Sequence, residues 1–149
     1  MTLEEGEDAP NVVVPNQDGE ELDLSFEDPT VLYFYPKDDT PGCTIEAKQF
    51  NKELESYQDA GVDVYGVSSD DTESHCNFID KYDLEFELLA DTDEEVIEAF
   101  DVGASGGYTD RVTYVLADGE VKELYEDVDP DGHPREVLSN IIETGLASL

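Results

Sequence analysis

Val31-Leu-Tyr-Phe-Tyr35, followed at once by Pro36-Lys-Asp-Asp-Thr-Pro-Gly-Cys43, is the stretch from which the rest of this chain can be read. Five consecutive apolar residues predict a strand buried on both faces, because a half-exposed strand would alternate with polar residues. Thr40 suits a helix N-cap, and Pro41 suits the first helical position, where a missing N–H costs nothing. The helix so begun is predicted to run from about Pro41 to Ala60, closed by Gly61. Cys43, Ala47, Phe50, Leu54 and Tyr57 recur along it at helical spacing and form its core-facing stripe.

Outward from this unit, strands and helices alternate. Short strands at Asn11–Val14 and Glu21–Leu24 flank the turn signal Asp18-Gly19. Val62–Val67 is the next predicted strand, Asp71–Tyr82 the next helix, Glu87–Ala90 a short strand and Asp93–Phe100 a helix. Arg111–Leu116 and Val121–Tyr125 flank Asp118-Gly119, a hairpin signal. Pro134–Leu149 reads as a closing helix. The pattern predicts one α/β domain spanning residues 1–149.

Forty acidic residues against seven basic ones give a net charge of −33 on 149 residues. The acids are interleaved with apolar residues along the whole length, which fits a folded domain with an acidic surface. At low ionic strength such charges repel and oppose compaction. At ~1 M salt the Debye length is only ~3 Å, and most of that repulsion is screened. The composition therefore predicts a protein of a cell living in high salt. It also argues against nucleic acid and anionic membranes as partners, since no basic patch can replace phosphate counterions. Met1–Pro10 is acidic and has no apolar core of a signal peptide, and no stretch reaches membrane-span length. These features predict a cytoplasmic protein, where two cysteines are redox or catalytic groups sooner than a structural staple.

Cys43 is expected in the first turn of its helix. There, free N–H groups and the positive end of the dipole make the surroundings of a nucleophilic thiolate. A small buried core residue is the plain alternative, and helix geometry alone leaves both open. Lys48 and Lys52 lie about 140° and 180° around the helix from Cys43 and face away, so only Lys37 can add positive charge. Arg111, one of two arginines, opens the apolar strand Val112–Leu116 after the flexible loop Gly103–Asp110. It can stabilise a neighbouring thiolate or a departing oxygen, or it can be a surface ion pair.

Tyr33–Glu46 as a whole resembles the active-site region of peroxiredoxins, in particular the bacterioferritin comigratory protein, or peroxiredoxin Q, branch. Pro36, Thr40 and Cys43 match the pattern Pro-x-x-x-Thr-x-x-Cys, Glu46 matches Cys-Thr-x-Glu, and Arg111 in Arg-Val-Thr-Tyr-Val-Leu116 matches the second catalytic element. Further likeness runs through Val64–Asp70, Ser74–Leu84 and Gly132–Leu138.

The resemblance implies a thioredoxin-like fold, with a central mixed sheet flanked by helices and an N-terminal β-hairpin extension. It implies a thiol-dependent peroxidase acting on hydrogen peroxide and organic hydroperoxides, with Cys43 as the peroxidatic nucleophile. Arg111, the Thr40 hydroxyl and the Cys43 N–H would hold the peroxide, Pro36 would shield the pocket, and Glu46 would support it by hydrogen bonding. Neither metal nor organic cofactor is implied. A thioredoxin-like protein or small thiol would be the reductant, and the chain would act as a monomer.

Many members carry a second cysteine five residues after the first; here that position is Lys48. Cys76 lies where other members of the branch carry a resolving cysteine, at the edge of the apolar stripe His75, Phe78, Ile79 and Tyr82. In a doubly wound sheet the two helices could lie on opposite faces, so Cys76 would reach Cys43 only after local unwinding; otherwise an outside thiol resolves.

Two other activities compete. A dithiol–disulfide oxidoreductase is weakened by the absence of Cys-x-x-Cys. A non-catalytic acidic binding module would leave Cys43 structural. Asp127-Val-Asp-Pro-Asp-Gly132 begins like a calcium loop, but its twelfth position is Leu138 and Pro130 interrupts it, so it reads as a turn. Gly103-Ala-Ser-Gly-Gly107 lacks the ending of a phosphate loop. His75 and His133 have no ligand spacing between them and read as structural.

Overall fold

A computed structural model describes residues 3–105, 108–126 and 128–146. In chain order the elements are β1 (Val12–Pro15), β2 (Glu21–Leu24), β3 (Thr30–Phe34), α1 (Pro41–Asp59), β4 (Asp63–Ser68), α2 (Thr72–Tyr82) and β5 (Glu87–Ala90). Then follow α3 (Glu95–Ala99), β6 (Ala104–Ser105), β7 (Tyr108–Thr109), β8 (Val112–Ala117), β9 (Glu120–Tyr125) and α4 (His133–Glu143). The expected α/β class, mixed sheet and N-terminal hairpin are all present.

Every residue of β3 is buried, as its unbroken apolar run requires, and it is the middle strand of the sheet β5-β4-β3-β8-β9. Parallel pairing joins β3 to β4 and β4 to β5, while β8 and β9 add antiparallel strands on the other side. The crossovers β3-α1-β4 and β4-α2-β5 step in the same direction across the sheet. With right-handed connections, both helices must then cover the same face. This corrects the expectation that α1 and α2 could lie on opposite sides.

The alternation of β3 divides the core accordingly. Val31, Tyr33 and Tyr35 face a cluster built with Phe50 and Tyr57 of α1, Phe78 of α2, and Val137 and Ile141 of α4. Leu32 and Phe34 face a second cluster with Val96 and Ile97 of α3, Val12 and Val14 of β1, and Tyr114 of β8. The Tyr33 and Phe50 rings stack at 4.4 Å between centroids, and the Tyr57 hydroxyl donates to the Pro134 carbonyl at 2.6 Å, tying α1 to α4.

Three boundaries differ from expectation for local reasons. Asp91 accepts from the Val96 and Ile97 N–H groups, and Glu94 adopts a left-handed conformation, so α3 starts later than Asp93. Gly145, at φ 79°, ends α4 early, with the Leu146 N–H returning to the Ile141 carbonyl. The expected continuation over 147–149 lies outside the described residues. The segment read as a flexible loop, Gly103–Asp110, holds the β6–β7 pairing, and the Asp110 N–H donates to the Gly103 carbonyl at 2.7 Å. Gly106 and Gly107 lie outside the described residues. So does Asp127 of the acidic turn, whose Gly132 precedes α4.

Gly66 on β4 is where the cluster leaves no room for a side chain. A Cβ there would sit 2.8 Å from Leu88 Cδ2 and 2.9 Å from the Tyr33 ring. Gly66→Ala is expected to destabilise the protein by about 1–3 kcal/mol in denaturant unfolding, the usual cost of overpacking; an unchanged midpoint would contradict this packing.

Candidate active site

Two strand ends meet at Cys43. The loop leaving β3 turns through Asp39, at φ 60°, and delivers Thr40 to the N-cap position of α1 with Pro41 next. The antiparallel register of β3 with β8 pairs Phe34 with Val112. Arg111, one residue before Val112, is thereby placed beside the end of β3 although it is 68 positions from Cys43 in sequence. Sheet register, not local sequence, brings the cation to the thiol.

Cys43 lies in the first turn of α1 and is 1% exposed. Arg111 Nη2 donates to its Sγ at 3.3 Å, and Arg111 Nη1 donates to Glu46 Oε1 at 2.7 Å. One guanidinium thus spans a thiol and a carboxylate carried one helical turn apart. The arrangement can hold negative charge on sulfur and on an oxygen departing beside it. Burial works against the charge on Arg111, but Glu46 and Cys43 raise its pKa above the ordinary value.

Glu46 is fully buried, and burial pushes its carboxyl up to about 7, with Arg111 opposing that rise. Among the described residues its second oxygen, Oε2, has no hydrogen-bond partner, and neither does the Tyr33 hydroxyl. His133, hydrogen-bonded to the Thr113 hydroxyl at 2.8 Å, is lowered to about 4 by burial and by Arg111, so it is neutral near pH 7. Gly42 allows Arg111 to come close: a Cβ there would lie 3.1 Å from Nη2.

The expected site residues fall into two groups. Cys43, Glu46 and Arg111 are in direct contact, and Pro36 and Thr40 are half-buried on the loop that enters α1. Thr40 does not cap that helix with its side chain, as the sequence suggested. Its hydroxyl turns back to donate to the Lys37 carbonyl at 2.9 Å.

Cys76 stands apart. It is half-buried on α2, and its thiol donates to the Gln17 carbonyl at 3.0 Å in the turn between β1 and β2. Burial pushes this thiol's pKa up, and the Asp18 and Asp80 carboxylates push it further. Both cysteines are free. Lys48 and Lys52 are exposed, as the helical angles required, and Lys37 Nζ sits 5.8 Å from the Tyr108 ring centroid. Among the described residues no cluster of His, Cys, Asp or Glu could hold a metal ion.

Sequence reasoning missed Gly42 and the buried Asp38. Asp38 stands inside the quoted segment, but nothing distinguishes it in sequence from the thirty-nine other acids.

Comparison with known proteins agrees with this geometry. The family model AhpC/TSA matches residues 6–124. Peroxiredoxin Bcp of Escherichia coli K12 is 36% identical over 147 residues, covering 92% of this chain and 94% of its own. A chloroplastic peroxiredoxin Q of japonica rice is 41% identical over 142 residues, covering 91% of this chain and 65% of that one. The bacterioferritin comigratory protein of Xanthomonas campestris, in a structure concerned with its alkyl peroxide reduction activity, superimposes with a TM-score of 0.86 at 32% identity, covering 95% of this chain and 99% of that one. With a guanidinium-held cysteine at a helix start on a thioredoxin-like sheet, this chain belongs to the AhpC/TSA family, in the Bcp/peroxiredoxin Q branch of thiol-dependent peroxidases.

Proposed function

We propose that the chain, as one domain over residues 1–149, reduces hydrogen peroxide and organic hydroperoxides at Cys43. The contact between Arg111 and the Cys43 sulfur, shared with Glu46, carries this reading. The thiolate attacks the terminal peroxide oxygen; an S–O bond forms and the O–O bond breaks. Sulfur is oxidised by two electrons to a sulfenic acid, and the leaving hydroxide or alkoxide takes up a proton to depart as water or alcohol. Arg111 meets the charge on the leaving oxygen, while Thr40 and the Cys43 N–H align the peroxide. Pro36 limits water, and Glu46 fixes the guanidinium plane.

Cys76 is the resolving thiol in this reading. Its attack on the sulfenic sulfur forms a disulfide and releases water, and a thioredoxin-like protein or small thiol then restores both thiols. Placement of α1 and α2 on one face supports the pairing. Because Cys76 is engaged at Gln17 and Cys43 is enclosed, the step requires local unwinding first. The chain acts as a monomer in the cytoplasm of a salt-loving cell. Its acidity supports the last point, and among the described residues no helix is long and apolar enough to cross a membrane.

Peroxide titration tests the centre. One equivalent of hydrogen peroxide is expected to consume the Cys43 thiol rapidly. Cys43→Ser should lower the rate more than about a thousandfold, and Arg111→Met about 100- to 1,000-fold. Mass spectrometry of the oxidised protein should show a Cys43–Cys76 crosslink; a trapped sulfenic acid with Cys76 still free would assign resolution to an outside thiol.

Glu46 gives a pH test. Its folded-state pKa lies above the ordinary carboxylate value, so the fold takes up a proton that the unfolded chain has released. The contribution of Glu46 to stability is full below pH ~4.5 and is lost as pH rises through about 7. Glu46→Gln should remove that part of the decline when wild type and variant are compared across this window; parallel curves would show that Glu46 is already ionised in the fold.

Salt supplies the remaining test. From about 0.1 M to 1 M KCl the screening length falls from ~10 to ~3 Å, and the melting temperature should climb steeply. A flat response would sink the high-salt assignment while leaving the peroxidase chemistry intact.

A further inference from the structure

Asp38 and His75 form a second buried polar centre, on the loop that leads into the helix of Cys43 and on α2. The two are 6% and 0% exposed respectively. His75 Nε2 faces the Leu89 carbonyl of β5 at 2.9 Å, and His75 Nδ1 faces Asp38 Oδ2 at 2.7 Å. A carbonyl oxygen can only accept, so Nε2 carries a proton. A further proton lies between Nδ1 and Oδ2. The Asp38 carboxyl also accepts from the Ser74 hydroxyl at 2.8 Å and from the Tyr35 hydroxyl at 2.5 Å. The ring and two hydroxyls thus converge on one buried carboxyl.

The surroundings of this pair come from every element packed on it. Tyr35 extends from the end of β3, Ser74 shares α2 with His75, and Leu89 closes the side toward β5. Asp70, following β4, accepts from the Asp38 N–H at 2.8 Å and from the Ser68 hydroxyl at 2.7 Å. The neighbouring Asp39 binds Lys81 Nζ at 2.8 Å and the Tyr82 hydroxyl at 2.9 Å, an exposed contact of little weight. The loop between β3 and α1 is thus fastened to α2 from within, by the Ser74 and His75 side chains of the helix that also carries Cys76.

Resting on the peroxidase reading, we propose that Asp38 and His75 form a buried ion pair, with the proton between them on the ring, and that this pair is a positioning clamp for the peroxidatic step. Neither residue touches the thiol. Asp38 fixes the loop whose next turn sets Thr40 and the first turn of α1, so the clamp determines where Cys43 stands relative to Arg111. A buried ion pair contributes little net stability against apolar replacements, but breaking one partner leaves an uncompensated charge that must move toward water. Here the movable part is the loop before Cys43. A misplacement on the order of 1 Å at a reacting centre costs about a hundredfold in rate.

Two measurements test this. The chain has two histidines, and His133 is neutral near pH 7, so nitrogen-15 spectra of the side chains separate the rings. At pH 7 one ring should show both nitrogens protonated, and His75→Gln should remove that signal. A neutral His75 ring would overturn the clamp whatever the variants do.

The second measurement is the rate of Cys43 oxidation by hydrogen peroxide, well below the melting point of each protein. Asp38→Asn and His75→Gln are expected to slow it about 10- to 100-fold. Variants that lose thermal stability yet oxidise at the wild-type rate would reduce the pair to a structural contact and overturn the proposal. If wild type itself ignores peroxide, the peroxidase reading fails, and the ring spectrum still reports on the imidazolium independently.

Discussion

The Arg111 guanidinium joins Cys43 and Glu46 in one contact, and the geometry of the candidate site is built on it. In a chain of net charge −33, any further negative charge is opposed by the field of the whole molecule. One largely enclosed guanidinium, only 15% exposed, offsets that field locally where it meets Cys43 and Glu46 together. Its planar fork lets one nitrogen hold the carboxylate while the other faces sulfur, which an ammonium point charge could not do with the same fixity. Glu46 fixes the orientation of the guanidinium but competes for its charge. Burial moderates that competition by raising the carboxyl to about 7.

The sheet makes this meeting possible. Since β3 is the middle strand, its carboxyl end is flanked by β4 and by β8, and α1 starts directly from it. Cys43 arrives from the sequence side and Arg111 from the register side. The two crossovers that run the same way across the sheet add α2 to the same face as α1, and His75 of α2 meets Asp38 on the loop that enters α1. Tyr33 of β3 and Tyr35 just after it link the two levels: Tyr33 stacks on Phe50 in the cluster that holds Cys43, and Tyr35 donates to Asp38.

The acids divide into two populations with different physics. Most are exposed, where solvent and salt set their cost. Asp38, Glu46 and Asp91 are buried, and each is matched to specific donors. Asp38 collects a tyrosine, a serine and a histidine, Glu46 takes the arginine, and Asp91 takes the N–H groups that open α3. Composition shows the first population clearly and conceals the second, because a buried carboxylate has the same letter as an exposed one.

What the chain determined by itself follows from short-range physics. An unbroken apolar run made β3 an interior strand, threonine and proline began α1 at its observed first residue, and helical spacing turned Cys43 inward while sending Lys48 and Lys52 to solvent. The turn signals at Asp18-Gly19 and Asp118-Gly119 were equally readable, since positive φ at both glycines is a local need. The motif likeness marked Glu46 and Arg111, but only β3–β8 pairing set them against one thiol. The shared face of α1 and α2, the Gln17 contact of Cys76 and the burial of Asp38 were decided by tertiary structure. Each depends on which atoms from distant segments compete for the same space and the same proton, and spacing along a chain carries no record of that competition.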